Sequence, residues 1–509
     1  MKSLASLVEA VSGAQVRGDL NRAVRGLTHD SRQVEPGFLF AALPGQKTDG
    51  HLFIPQAVER GACAVVAEAG RGDLETGEAT LILVPQTRPA LAAMAACFYD
   101  YPSRQLSLTG VTGTNGKTTT TYMLEAMMRA AGRKVGVIGT LAYRIGDEVL
   151  EAPFTTPEAP DLQRLLRQMV DNGVTHAAME VSSHALAQHR ADHCEFSCAI
   201  FTNLTRDHLD FHADAQEYFE AKARLFRDQA LMPTQRARAN IINLDDPSGR
   251  SLVPIARGVT ITYGCREQAD FFARDAEVSD EGTSFRVDTP QGSRQVRLHL
   301  LGRFNVYNAL AALAAALAQG VSLDTAVAAL EQVPPVRGRF EKVEEGQDYS
   351  VLVDYSHTPD SLEKALLDAR NLGARRVLVV FGCGGDRDPG KRPIMGRLAA
   401  RLADVCFVTS DNPRSEDPDA IIAQIIAGVP RSFKHRCRVE RDRERAIAAA
   451  LREARPQDLV LIAGKGHETK QIFADRVEAF DDREVAARLL REELARRAAR
   501  SVEGHHRSK

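Results

Sequence analysis

Val111-Thr112-Gly113-Thr114-Asn115-Gly116-Lys117-Thr118 stands between an apolar run, Leu106 to Val111, and a segment whose Met123, Leu124, Met127 and Met128 recur at helical spacing. The order is strand, glycine-bearing turn, helix. Such a turn lets backbone N–H groups surround a phosphate while the helix N-terminus adds a favourable dipole. Gly113, Thr114, Asn115 and Gly116 form the expected cradle, with Lys117 as a point charge for the β/γ-phosphates and Thr118 or Thr119 as a hydroxyl for Mg²⁺. Val111 departs from the strict pattern by occupying the first glycine position, with Gly110 just ahead of it. The loop indicates that a nucleotide is handled, and motors, switches, kinases and ligases all share the device.

Outward from the loop the alternation continues. Val135 to Ile138 reads as a strand, Leu162 to Val170 as an amphipathic helix, and Ala177 to Val181, Ala199 to Thr202 and Ile241 to Leu244 as further strands. A parallel sheet with crossover helices explains this order. Val333-Pro334-Pro335-Val336-Arg337-Gly338 interrupts it, because adjacent prolines and a glycine extend neither helix nor central strand. The rhythm restarts with apolar runs at Val377 to Phe381, Val405 to Thr409 and Leu459 to Ala463, each followed by a polar loop at the end of the strand where ligands bind in open α/β sheets.

The expected architecture is therefore α/β in three domains. Residues 1–101 form a small α/β domain, 102–335 a central phosphate-loop domain built on a parallel sheet, and 336–509 a C-terminal Rossmann-like domain. A chain of 509 residues exceeds what one core organises.

Composition narrows the function. With 65 basic and 67 acidic side chains the formal charge is -2, so no global field draws the chain to nucleic acid or an anionic membrane. The longest apolar stretch, Ala309 to Ala318, is too short for a bilayer, and the N-terminus lacks an apolar signal core, so a cytoplasmic protein is expected. The 8 cysteines include no CxxC pair, and the Cys194 to Cys198 spacing fits no standard zinc pattern. Reduced structural thiols follow.

Glu180 and His208 each follow an apolar strand, and a carboxylate with an imidazole at adjacent strand ends can ligate metal; a helix cap and a structural hydrogen bond are the plainer readings. Lys222, in the helix-like segment Glu217 to Phe226, reads by itself as a solvated charge. Ser182-Ser183-His184 lacks the glycine pattern of a nucleophile elbow, so a hydrolase triad is not supported.

Several segments extend the phosphate loop in a fixed order: Thr155-Thr156-Pro157-Glu158, Glu180-Val181-Ser182-Ser183-His184, Asn203-Leu204-Thr205-Arg206-Asp207-His208-Leu209-Asp210, Ala221-Lys222 and Asp354-Tyr355-Ser356-His357-Thr358-Pro359. Together they resemble the Mur ligase family, which includes the related folate polyglutamate ligases. The resemblance spans almost the whole chain and implies ATP-driven amide synthesis through an acyl phosphate. It implies Mg²⁺ held by Glu180, His208 and Thr118, and a carbamylated Lys222 acting as an anionic ligand. Asn305, Arg339, Asp354, Tyr355 and His357 match family positions around ATP. Thr155, Thr156, Ser182, Gln188 and Arg190 match positions for a UDP-linked N-acetylmuramoyl dipeptide, and Ser31 matches a uridine-nucleotide contact.

The C-terminal loops choose the acceptor. Asp411-Asn412-Pro413-Arg414, Gly464-Lys465-Gly466-His467-Glu468 and Gly384-Gly385-Asp386-Arg387 follow three strands. Arg414 can grip a carboxylate with two parallel hydrogen bonds while Glu468 accepts from an ammonium, which suits the far end of meso-diaminopimelate. Arg387, Asp411, Asn412, Pro413 and Gly464 complete the expected acceptor pocket. By resemblance the loop is the diaminopimelate-specific version, and lysine or another amino acid is the alternative acceptor. A non-catalytic ATP-dependent binding protein is the alternative from a different class. A monomer is expected.

Overall fold

The structure, a computed structural model, describes residues 1–45, 48–71, 74–228 and 239–506. The phosphate loop joins β1 (Ser107–Thr112) to α1 (Lys117–Ala130). Then follow β2 (Val135–Ile138), β3 (His176–Glu180), β4 (Cys198–Phe201), α2 (Ala215–Arg227), β5 (Ala239–Asn243) and β6 (Val259–Gly264). In space the order is β2-β3-β1-β4-β5-β6, all parallel. The chain leaves β1 toward one side and returns on the other, so the phosphate loop opens at the switch point of the sheet.

The expected parallel core is present, and antiparallel strands extend it at both edges. The central sheet has 11 strands, and β7 (Phe271–Ser279), β8 (Gly282–Thr289) and β9 (Gly292–Leu298) extend one edge, with β7-β8-β9 an antiparallel meander. Strands Tyr143–Ile145 and Glu148–Leu150 extend the other edge in the same antiparallel manner. Their tight turns need no crossover helix.

The Ala-rich stretch is a core helix, α3 (Phe304–Ala318), whose residues Ala309 to Ala316 are fully buried. Small side chains let it lie close to α1, sharing one core with Met123, Leu124, Met127 and Met128. Each fully buried Met or Leu there contributes about 1.5–3 kcal/mol.

Residues 333–338 carry neither helix nor strand. Beyond them come β10 (Ser350–Asp354), α4 (Pro359–Asn371), β11 (Val377–Phe381), β12 (Val405–Val408) and β13 (Leu459–Ala463). In the 6-stranded C-terminal sheet β13 lies between β10 and β11, and β12 lies beyond β11. The loops that follow β13, β11 and β12 are therefore neighbours. A small hairpin, β14 (Lys470–Ile472) with β15 (Val477–Ala479), comes next. The last described element is a helix, Asp482–His506.

Strands lying between residues 15 and 84 form a separate 5-stranded sheet, parallel but for the edge strand Gln15–Arg17, closed by helix Thr87–Phe98. All 8 cysteines are free. Among the described residues no helix is long and apolar enough to cross a membrane.

Candidate active site between the central and C-terminal domains

The phosphate loop is fixed by the segment that follows β4. Thr114 N–H donates to Asn203 O at 2.8 Å, Asn115 N–H to Asn203 Oδ1 at 2.9 Å, and the Thr202 hydroxyl to Asn115 O at 2.7 Å. Glycine is required twice. Gly113 has φ +146°, and a Cβ there would lie 1.8 Å from Thr202 Oγ1; at Gly116, with φ +87°, it would lie 2.3 Å from Asn308 Oδ1. Val111 stands where a strict pattern has glycine because it is still in β1, paired with Glu180 and Ile200. Lys117 Nζ folds back onto Gly113 O at 2.8 Å and Thr114 O at 2.9 Å. Burial lowers its pKa, opposed by the charges of Glu180 and Asp207.

Lys222 enters the same loop from α2. Its side chain is 1% exposed, and Nζ donates to Gly113 O at 3.1 Å and sits 4.5 Å from the Tyr218 ring centre. Burial, reinforced by the charge of Lys117, drives its pKa far down. Glu180, at the end of β3, accepts from Thr140 N–H at 2.9 Å and from the Thr140 hydroxyl at 3.0 Å. His208, with φ +57°, sets Nε2 3.3 Å from Asp207 Oδ2. Burial pushes His208 down to about 2, so its imidazole is neutral. Burial would raise the Asp207 carboxyl, but His357, His208 and Lys391 around it hold it well below the usual carboxylate range. Among the described residues no three His, Cys, Asp or Glu side chains cluster for a metal. The expected ligand set contains just two residues of those kinds, Glu180 and His208.

The C-terminal domain closes the loop from above, around a cavity of about 650 Å³ lined by Asn115, Thr118, Thr119, Asn308, Arg339 and Asp354, among others. Arg339 Nη2 donates to Thr118 Oγ1 at 3.2 Å, its guanidinium lies 4.7 Å from the Tyr355 ring centre, and among the described residues its buried Nε has no partner. Asp354 turns inward, accepting from Phe340 N–H at 2.8 Å and from the Ser356 hydroxyl. His357 Nε2 is 3.8 Å from Asp207 Oδ2, and Asn115 Nδ2 donates to Asp360 at 3.1 Å. Asn305 reaches the loop indirectly: its Oδ1 accepts from Asn308, the residue against Gly116, at 3.0 Å.

On the other side of Glu180 the expected dipeptide residues gather. Thr155 Oγ1 is 3.1 Å from Thr140 Oγ1, and Thr156 Oγ1 donates to Glu180 O at 2.9 Å. Ser182 caps helix Ser183–Ala187, and Arg190 spans Gln188 at 2.6 Å, Thr156 O at 3.1 Å and Glu158 at 3.0 Å. Ser31 is not brought to this group; it lies in the N-terminal domain, where its hydroxyl donates to Gln56 at 2.7 Å.

The acceptor loops converge at Asn412. Arg414, with φ +52°, directs Nη1 to Gly385 O at 2.8 Å and lies 3.5 Å from Asn412 O. Asn412 Nδ2 donates to Glu468 Oε2 at 2.7 Å. Gly464 has φ +117°, and a Cβ there would meet Asp411 Oδ2 at 2.5 Å. Pro413 O packs so closely on Gly385 that no side chain fits between them. Arg387 is exposed, donating to Asp386 O at 2.9 Å.

Three family descriptions match the chain in order: Mur ligase family, catalytic domain, over residues 23–99; Mur ligase middle domain over 111–316; and Mur ligase, glutamate ligase domain over 338–466. The UDP-N-acetylmuramoyl-L-alanyl-D-glutamate--2,6-diaminopimelate ligase of Geobacillus kaustophilus (strain HTA426) is 48% identical over 490 residues, covering 96% of this chain and 99% of that protein. The protein of the same name from Syntrophomonas wolfei subsp. wolfei is 46% identical over 489 residues, with 95% and 99% covered. The chain belongs to the Mur ligase family.

A solved structure of a ligase with that name is 33% identical, with a TM-score of 0.67 over 97% of this chain and 99% of its own. A MurF structure from Acinetobacter baumannii, at 21% identity and a TM-score of 0.68 over 96% and 98%, shares the fold. This Mur ligase is accordingly an ATP-dependent ligase of three-domain α/β architecture. Its site uses residues that sequence reasoning left without a role: Thr140, Asn203, Asn308, Asp360 and the buried Lys391. Asn308 had a signal, since it lies three positions after Asn305 on an otherwise Ala- and Leu-rich helix. The others sit in loops or at helix starts, where no periodicity marks them.

Proposed function

We propose that this Mur ligase joins an amine of meso-2,6-diaminopimelate to the free side-chain carboxylate of D-glutamate in UDP-N-acetylmuramoyl-L-alanyl-D-glutamate, a step of peptidoglycan precursor synthesis. The observation that carries the reading is that Arg414 and Glu468, a cation and an anion on two strand-end loops, both meet Asn412. A distal head group with one carboxylate and one ammonium needs one partner of each sign. The names of relatives at 46–48% identity agree.

When bound, ATP supplies the phosphoryl group that turns the carboxylate into an acyl phosphate, and Mg²⁺ supplies charge neutralisation between the two anions. The residues fit both: the loop amides, Lys117 and the unpartnered Nε of Arg339 suit phosphate oxygens, and the Thr118 hydroxyl, Glu180 carboxylate and neutral His208 imidazole suit the cation. Lys222 holds an uncharged amine, the form that adds to CO₂; the new N–C bond and loss of a proton make it an anionic carbamate able to join that ligand set. Thr155, Thr156, Ser182, Gln188 and Arg190 hold the dipeptide, and Ser31 the uridine nucleotide in the N-terminal domain. Asn305, Asp354 and His357 frame the nucleotide side. Arg387, Asp411, Asn412, Pro413, Arg414, Gly464 and Glu468 orient the incoming amine, whose attack expels phosphate and leaves the amide. Arg339 and Asp360, reaching across from the C-terminal domain, shield the acyl phosphate from water. The protein acts as a cytoplasmic monomer.

A lysine acceptor has no distal carboxylate, so Arg414 would lose its partner at a cost on the order of several kcal/mol. Phosphate release from ATP in the presence of the UDP-linked dipeptide tests the reading: diaminopimelate drives it, and lysine or glutamate drives it at least about tenfold less. Equal release with lysine contradicts the assignment.

A further inference from the structure

Behind the acceptor loops lies a fully buried lysine, Lys465, 0% exposed. Its Nζ donates to Asn412 Oδ1 at 3.0 Å, to Lys470 O at 2.6 Å and to Glu468 Oε2 at 3.3 Å. Ile472 N–H donates to the same Asn412 oxygen at 3.1 Å, and Ile472 O accepts from Arg414 N–H at 3.0 Å. With two donors on Oδ1, the Asn412 amide has one orientation left, and its Nδ2 must face Glu468 Oε2, which it reaches at 2.7 Å. Glu468 Oε2 is thus held by Lys465 and Asn412 together. Among the described residues its Oε1 has a single long hydrogen bond, from the Tyr355 hydroxyl at 3.4 Å.

The charges around this point are interleaved. Asp411 is buried beside Lys465 and Arg443, whose fields outweigh burial and keep its carboxyl below its usual value. Arg443 is itself buried in a two-pronged pair with Asp482, both contacts 2.7 Å, and donates to Ala463 O at 3.0 Å. Lys465 is the cation that touches Asn412 and Glu468 directly. Removing it leaves Asp411 and Glu468 with an excess negative charge beside the acceptor's head group. Such a site favours a purely cationic head over a zwitterion.

We propose that Lys465 is a positioning residue that sets acceptor specificity: it locks Asn412 and one oxygen of Glu468, leaves the other oxygen for the distal ammonium of the acceptor, and offsets the carboxylates that would otherwise admit lysine. The proposal rests on the acceptor site described above. Its test compares diaminopimelate with lysine in the same preparation of Lys465→Met and of Lys465→Gln, by phosphate release with ATP and the dipeptide. The ratio of kcat/KM for diaminopimelate over lysine falls at least about tenfold, through KM for diaminopimelate, while KM for ATP stays within about twofold. An unchanged ratio overturns the proposal, whether or not kcat falls. If neither variant is stabilised against heat by an ATP analogue, Lys465 is merely structural and the proposal also fails. Arg414→Ala separates the two layers. If it too leaves KM for diaminopimelate unchanged, the acceptor site itself is misassigned; if it raises that KM about tenfold or more while the Lys465 variants do not, this inference alone is wrong.

Discussion

On a helix that also carries Glu217, Glu220 and Arg227, a lone lysine ordinarily lies along the wet face. Lys222 points inward because it shares a face with Tyr218 and Phe226, four residues to either side, both buried. The reading of Lys222 by itself as a solvated charge is thereby corrected, because the buried face outweighs the residue type. What the sequence did not reveal is the neighbour, Gly113 O, 109 positions away. Burial next to Lys117 disfavours the charged amine, as the proposed carbamate requires. Lys222→Ala should therefore cost at least about a hundredfold in turnover, the scale of losing a group that stabilises developing charge, with the far-UV circular dichroism unchanged. Wild-type turnover would remove Lys222 from the chemistry. Glu180 and His208 were readable as polar residues at the ends of apolar strands. Thr140, which holds both oxygens of Glu180, was not, because a single threonine in a loop has no pattern to betray it.

At the scale of elements, the strands Val135–Ile138, Val377–Phe381 and Leu459–Ala463 fall where their apolar runs end. A strand buried on both faces writes itself as a continuous run. The β7-β8-β9 meander does not, since exposed residues recur along β7 and β9 and charged positions, such as Arg274 and Arg294, break any apolar stretch. The parallel core was readable, and the meander that extends it was not, for that reason. The phosphate loop was the most legible element, because two of its positions admit no side chain. Gly113→Ala imposes a backbone strain of about 1–3 kcal/mol and a collision with Thr202. It should weaken binding of an ATP analogue at least about tenfold by calorimetric titration; unaltered affinity would mean that the loop does not carry the phosphates.

Across the whole molecule, the site is made by domains that the sequence separates. Arg339 meets Thr118 over 221 residues and Asn115 meets Asp360 over 245, distances at which no local pattern speaks. One such joint responds to pH. Asp368 on α4 of the C-terminal domain accepts from the backbone N–H groups of Arg303 and Phe304 at the start of α3, and burial raises its pKa from 3.8 to about 6. The folded state therefore holds the proton more tightly than the unfolded chain. Its contribution is fullest below about pH 4 and is lost as pH rises toward 6, on the order of 2–3 kcal/mol. Asp368→Asn should remove that slope. In urea unfolding the variant should gain on wild type between pH 4 and 6 and keep a constant difference above about pH 6.5; parallel curves would rule out a titrating joint. The account as a whole rests on the acceptor's two-signed head group meeting Arg414 and Glu468. It is tested most directly by offering equal concentrations of meso-diaminopimelate and L-lysine with ATP and the UDP-linked dipeptide in one reaction and weighing the products by mass spectrometry. The diaminopimelate adduct should exceed the lysine adduct at least about tenfold; a comparable yield of both would contradict it.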